Sequence, residues 1–233
     1  MTDIAAQRQA SGLRVVAHAL GNVLLGLAVG LLVYYATTDV DSRLSRRRAR
    51  VDLQQLGPIA SAAPAVVDSV PALDFDGWEE QDQAFWRSAP AGSAIGRLVI
   101  VRMGLDSVIV KGTDRRTLKR GPGWIVTTSV PGPTGNCAIS GHRTTYLAPF
   151  RRLGQLEEGD LIELYTPYRR YRYRVTRSFA VRPRQVEVIA PTHQPTLTLT
   201  ACHPPYSARY RLIVQSRLIE ARPLENAPAA GTP

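Results

Sequence analysis

Two patterns of apolar and polar positions divide the chain. From Val15 to Ala36 the run VVAHALGNVLLGLAVGLLVYYA has no formal charge and lies between Arg14 and Asp39. A run of that length predicts one transmembrane helix over 15–36, behind a short N-terminal tail over 1–14. It is longer than the apolar region of a cleaved signal peptide and lacks a small-x-small exit, so an uncleaved anchor is expected. From Ala94 onward the texture becomes short β-rich segments: GRLVIVRM, SVIVKG, GNCAISGH, DLIELYTP, RYRYRVTR, VEVIA, TLTLTAC and RLIVQSRLIE, separated by Gly, Pro or Asp. This predicts an all-β domain over 93–222, a barrel or sandwich of about eight strands.

Between these parts, residues 37–92 read as a juxtamembrane linker, because LQQLGPIASAAPAVVDSVPALD follows neither a strand nor a helix period. Within it, DFDGWEEQDQAFWR predicts a short helix over 74–88 that places Phe75, Trp78, Phe85 and Trp86 on one side to dock on the domain. Residues 223–233 read as a flexible C-terminal tail.

Charge adds a constraint on partners. The 233 residues carry 29 Lys and Arg against 19 Asp and Glu, and residues 93–222 alone carry 21 against 8. The densest piece is YRRYRYRVTR, residues 168–177, where strand parity puts Arg172 and Arg174 on one face and Tyr171 and Tyr173 on the other. No nucleic-acid module accompanies it, so a solvated basic face near a polyanion such as a cell envelope or anionic lipid is expected, and no nucleic acid. Arg43, Arg46, Arg47, Arg48 and Arg50 follow the span while Arg8 and Arg14 precede it, which by the positive-inside rule holds the domain in the cytoplasm. Long domains cross largely regardless of charge, so the chemistry of the site has to decide.

The two cysteines form neither a metal motif nor a disulfide framework. Cys137, in GNCAISGH, reads as a buried strand residue. In TLTLTACHPP the alternation puts Leu197, Leu199 and Ala201 on one face of a half-buried strand and Cys202 on the other, with Thr198 and Thr200. An inert thiol belongs among the leucines, so its place on the polar face favours a nucleophile. Such a thiol needs an acid or base and an oxyanion partner. Among the four histidines, His18 lies in the span, His193 in a turn, and His203 next to Cys202 on the opposite face. That leaves His142, in SGHRTTY. Across the Pro-Pro turn, Arg209 and Arg211 share strand parity, and parity alone leaves both open as the cationic partner.

GNCAISGHRTTYLAPFRRLGQLEEGDLIEL, followed by TLTLTACHPPYSARYRLIV, resembles the sortases, membrane-anchored cysteine transpeptidases of the bacterial surface. The likeness runs over about 94–222 and includes IGRLVI and VIVKGTDRRTLKRGPG. It implies a sortase-like closed barrel with short helices behind the transmembrane helix. It also implies catalytic roles for Cys202, His142 and Arg211, substrate binding by Tyr146, Thr200 and Thr144, and no cofactor or metal. GHRTTYLAPF is most similar to class E, with class D the near rival. There Tyr146 matches a position associated with LAXTG-type sorting signals. The implied partners are surface proteins with a C-terminal sorting signal, a peptidoglycan precursor amine or pilin lysine, and the membrane through one helix, with the catalytic domain extracytoplasmic. Ala201 departs from the family's usual Thr before the nucleophile, and Val101 from a proline common in that segment. An L,D-transpeptidase-like wall enzyme and a non-catalytic, membrane-tethered basic module are the competing readings; the Ser-His-Gly-Cys context of the former is missing here.

Overall fold

The computed structural model describes residues 2–60, 72–225 and 227. The chain divides into two compact units, Met1–Asp41 and Ser42–Pro233. The first is helical and belongs to α1 (Thr2–Gln55). Within α1 lies an 18-residue window of mean hydropathy 1.9, none of it buried in the structure. Leu24, Leu27 and Leu32 stand 57%, 66% and 69% exposed, more contiguous apolar surface than a helix keeps in water, which makes it a candidate membrane span.

The second unit is built on a closed barrel. Its strands are β1 (Ala94–Ile100), β2 (Leu105–Lys111), β3 (Gly123–Trp124), β4 (Asn136–Ser140), β5 (Leu161–Tyr165), β6 (Arg169–Val181), β7 (Thr196–His203) and β8 (Tyr210–Pro223). They run in the order β1-β2-β3-β4-β7-β8-β6-β5, and β5 closes on β1. Closure removes free sheet edges. Most pairs are antiparallel; β2–β3 and β4–β7 are parallel. The interior is filled by alternate residues of every long strand, among them Leu98, Ile100, Ile109, Cys137, Ile139, Leu197, Leu199, Tyr171, Tyr173, Leu212 and Val214.

Three expectations need correction. VEVIA is not a strand: Val186–Ile189 forms a 3-10 turn with Val186 62% exposed. Pro183 and Pro191 bracket it, and the Val188 carbonyl serves instead as acceptor for Asn136 Nδ2 at 3.2 Å and Gln215 Nε2 at 2.9 Å. The eighth strand is the two-residue β3, too short to show alternation. The linker expected over 37–92 is not a linker throughout, because α1 continues to Gln55 and its Ser42–Gln55 portion belongs to the barrel unit. Ala49 and Leu53, one helical turn apart, are buried against Val99, Val108 and Val110 of β1 and β2. Residues 61–71 of the expected linker, and the end of the expected tail at 226 and 228–233, lie outside the described residues.

The basic strand β6 is not a solvated face either. Register sets Arg172 directly opposite Glu163 on β5 and Glu220 on β8. Its guanidinium bonds both carboxylates, at 3.3 and 2.8 Å, and stands 4% exposed. Opposed charges across a sheet are neighbours, so these glutamates neutralise the densest part of the run, whereas Arg174 is exposed.

Of the helix expected over 74–88, only the second part is helical, a π-helical turn, Glu79–Gln83, leading into α2 (Ala84–Ser88), while residues 74–78 are non-helical. Trp86 is fully buried and packs edge-on to Trp124 with centroids 5.2 Å apart. Trp78 Nε1 donates to the Pro131 carbonyl at 2.7 Å. The fully buried Arg169 holds the segment with its whole fork: Nε donates to the Asp74 carbonyl at 2.9 Å, Nη2 to the Asp76 carbonyl at 2.6 Å, and Nη1 to the Asp82 carboxylate. Asp82 also accepts from Thr166. Removing one partner of such a buried pair strands the other charge, which costs about 3–5 kcal/mol. Arg169→Ala should therefore lower unfolding stability by that amount, followed by tryptophan fluorescence in urea, whereas Arg174→Ala should change it by less than about 0.5 kcal/mol.

Candidate active site

The site is assembled by register. In the parallel pair β4–β7, Ser140 stands opposite Thr200. In the antiparallel pair β7–β8, Cys202 stands opposite Arg211. The interior residues are Cys137 and Ile139 on β4, Leu197, Leu199 and Ala201 on β7, and Leu212 and Val214 on β8. Strand alternation then turns Ser140, Thr200, Cys202 and Arg211 to the outer face. The Gly141 N–H donates to the Thr200 carbonyl at 3.0 Å, which extends the ladder one rung past β4. His142 follows, level with Cys202, two positions beyond the Ser140–Thr200 pair. Neighbouring strands run about 5 Å apart, so the backbones of His142, Cys202 and Arg211 emerge near one another at the ends of three adjacent strands.

The turn into His142 depends on a glycine. A Cβ on Gly141 would lie 2.6 Å from the Phe150 ring, so only glycine lets the backbone pass there. Phe150 returns its N–H to the His142 carbonyl at 3.0 Å, closing the loop on itself.

The two thiols have opposite settings. Cys137 is 1% exposed inside the barrel, as expected, and burial pushes its thiol pKa far up, which keeps it protonated and inert. Cys202 is half-buried at a strand end. The Thr face it shares is more enclosed than the sequence pattern predicts: Thr198 and Thr200 are buried, and Thr198 donates to Asn136 Oδ1 at 2.8 Å. Position 201 faces the interior, so the side chain there is not on the face that carries Cys202.

The His142 ring lies 4.9 Å, centroid to centroid, from that of Tyr146. Its Nε2 is buried without a hydrogen-bond partner. Burial first, and the charge of Arg115 second, hold its pKa below the ordinary histidine value. Arg211 Nη1 donates to the carbonyls of Ala208 and Tyr210, each at 3.3 Å, which ties the guanidinium to the β7–β8 turn. Arg209 precedes the first residue of β8, and its guanidinium lies over the Tyr210 ring, 5.5 Å from the centroid. The strand parity that links the two arginines in sequence thus does not apply, since only Arg211 is in the strand. Thr144 is half-buried in the His142 loop, and His193 is exposed in the loop before β7.

Arg143 is the residue that sequence reasoning misses. Its Nη1 lies 2.6 Å from Nδ1 of His203 and 3.5 Å from the Cys202 carbonyl. A guanidinium only donates, so Nδ1 is the acceptor in this contact. In sequence Arg143 is simply a cation in a loop; only the fold of that loop turns it toward the end of β7.

The family profile described as the Sortase domain matches residues 98–219, just over half of the chain. The chain belongs to the sortase family. It is 34% identical over 114 residues to Sortase D of Bacillus subtilis, covering 48% of this chain and 56% of that one, so the match spans little more than half of that relative's length. To Sortase SrtE2 of Streptomyces coelicolor it is 29% identical over 230 residues, 88% of this chain and 83% of that one. Sortase E1 of the same organism, solved with a tripeptide in its active site, superposes with TM-score 0.55 at 28% identity, covering 62% of this chain and all of that one. Class D and class E relatives both appear, in agreement with the resemblance read from GHRTTYLAPF.

The lowered pKa of His142 sets the pH profile if this side chain is the acid or base of the reaction. Burial disfavours the imidazolium, so the proton leaves at lower pH than from a free histidine, whose pKa is about 6.5. The acid limb of kcat/KM should lie below that value, and Arg115→Gln should move it upward. A pH series on a fluorogenic peptide checks both.

Proposed function

We propose that this sortase is a cysteine transpeptidase that cleaves an LAXTG- or LPXTG-like sorting signal between Thr and Gly and transfers the protein to a cell-wall amine. The observation that supports the reading is the register that sets Cys202 opposite Arg211, with His142 two residues past the Ser140–Thr200 pair on the neighbouring strand. The Cys202 thiolate attacks the Thr carbonyl carbon, forming a C–S bond. The resulting oxyanion accepts hydrogen bonds from the Arg211 fork. As the tetrahedral species collapses, the C–N bond breaks and the His142 imidazolium gives its proton to the departing Gly amine, leaving a thioester on Cys202. An amine of a peptidoglycan precursor, or a pilin lysine, then attacks the thioester carbonyl while His142 takes its proton, and the thiolate leaves. The Nε2 atom of His142, buried and unbonded, suits this proton exchange. Arg143, bound to His203 and close to the Cys202 carbonyl, positions the end of β7. Tyr146, Thr144 and Thr200 surround the same face and are the proposed substrate contacts. The tripeptide in the active site of the Streptomyces coelicolor relative supports a peptide substrate.

The same reading divides the chain into an anchoring span over 15–36 and a catalytic domain over 93–222. Sorting signals and wall amines meet outside the cytoplasmic membrane, so the catalytic domain is placed there, against the arginines that follow the span.

Substitution separates this proposal from a binding role. Cys202→Ala should abolish peptide cleavage without changing the unfolding transition. Arg211→Ala should lower the rate about a hundredfold to a thousandfold, the usual loss for an oxyanion donor, and Arg211→Lys should stay poor because an ammonium lacks the planar fork. Arg209→Ala should cost well under tenfold. Cleavage that survives in Arg211→Ala and vanishes in Arg209→Ala, with both proteins folded, would reverse the assignment.

A further inference from the structure

The segment Thr145–Pro149 stands out for its backbone. Tyr146, Leu147 and Ala148 take φ of 51°, 60° and 40° in succession. Side-chain-bearing residues rarely enter the left-handed region even singly, and each such residue is disfavoured unless its surroundings fix it. Within the loop, one turn bond runs from the Ala148 N–H to the Thr145 carbonyl at 2.9 Å. A second runs from the Arg151 N–H to the Ala148 carbonyl at 3.0 Å, and a further tie comes from far away in sequence: Arg46 Nη2 donates to the Tyr146 carbonyl at 3.0 Å.

Arg46 is part of the Ser42–Gln55 portion of α1, which is seated on the barrel unit by Ala49 and Leu53, 0% and 6% exposed. A second tie reaches the same tyrosine from the other side. Asp52 on that helix pairs with Arg120, and the neighbouring Lys119 carries its ammonium 5.2 Å above the Tyr146 ring. One helix therefore fixes the carbonyl of Tyr146 directly and, through Arg120, the end of the 3-10 turn Thr117–Lys119 that supplies the cation over its ring. That ring in turn packs on His142.

We infer that the helix following the span is part of the substrate-recognition apparatus: Arg46 is a positioning residue that holds the left-handed Tyr146–Ala148 turn, and through it the Tyr146 ring against His142, in its binding conformation. The inference rests on the sortase reading above. Arg46 touches the backbone and not the reacting atoms, so its loss acts through the loop. A loop released from this turn presents Tyr146 incorrectly to the sorting signal and frees His142 from its packed neighbour. The first effect raises KM; the second lets the imidazole titrate closer to its ordinary value.

The test uses the full chain in detergent micelles with a fluorogenic LAXTG peptide and hydroxylamine as the accepting amine. Arg46→Ala should raise the KM for the peptide about tenfold, the factor that one charge-assisted hydrogen bond is worth, with the KM for hydroxylamine unchanged. It should also move the acid limb of kcat/KM upward. Arg46→Lys, which retains a donor, should recover part of the KM, and Arg47→Ala, an exposed neighbour, should behave as the unaltered protein. Equal KM and pH profile in Arg46→Ala and the unaltered protein overturn the inference, as does an equal loss for both substrates that tracks a fall in unfolding midpoint. Cys202→Ala run alongside distinguishes the two claims: a dead Cys202→Ala with a normal Arg46→Ala removes only this inference, whereas a Cys202→Ala that still cleaves removes the functional reading beneath it.

Discussion

The parallel pairing of β4 with β7 is the constraint on which the site depends. In a barrel whose other long pairs are antiparallel, it carries two strand ends out of the same rim of the barrel, so the residues just past Ser140 and Thr200 emerge together. An antiparallel partner would have sent His142 to the opposite end, about 17 Å away along the five residues of β4. The antiparallel β7–β8 hairpin adds Arg211 to the same place. A slip of one residue in either pairing turns an outer side chain inward, and the interior has no room: Leu199, Ala201, Leu212 and Val214 fill it. The register of this outer face is thus held by the apolar packing behind it.

Electrostatics holds the outside of the same barrel. Arg172 between Glu163 and Glu220 is a cross-strand ladder of alternating charge, and Arg169 is a buried hub that draws Asp74, Asp76 and Asp82 onto the domain. The strong positive balance of the sequence is consequently not spread evenly over the surface. Part of it is consumed internally, and Arg46 and Arg120 are used to seat one helix against the loops that hold Tyr146 and Arg120. The arginines behind the span, which read as a topology signal in sequence, include structural ones.

The strands with clear alternation were legible beforehand, because Leu197, Leu199 and Ala201 against Thr198, Thr200 and Cys202 state both the strand and its faces. So was the buried Cys137. VEVIA misled because β-branched residues also occupy exposed turns when prolines bracket them, and β3 escaped because two residues have no period. The helix over 42–55 was obscured for another reason: its docking stripe is only Ala49 and Leu53, surrounded by arginines that resemble a solvated linker. Arg143 and Arg46 were beyond reach of pattern altogether, since their partners, His203 and the Tyr146 carbonyl, are set by loop geometry 60 and 100 positions away.

If the register argument is right, the chemistry must leave a covalent mark on one sulfur and not the other. The most direct measurement is peptide-level mass spectrometry of the enzyme after incubation with an LAXTG peptide and acid quench, without an accepting amine. The account predicts an acyl increment, equal to the peptide minus its departing Gly-bearing fragment, on the segment containing Cys202, its loss on adding hydroxylamine, and none on Cys137. An increment on Cys137, or none on either cysteine while the peptide is being cleaved, would contradict it.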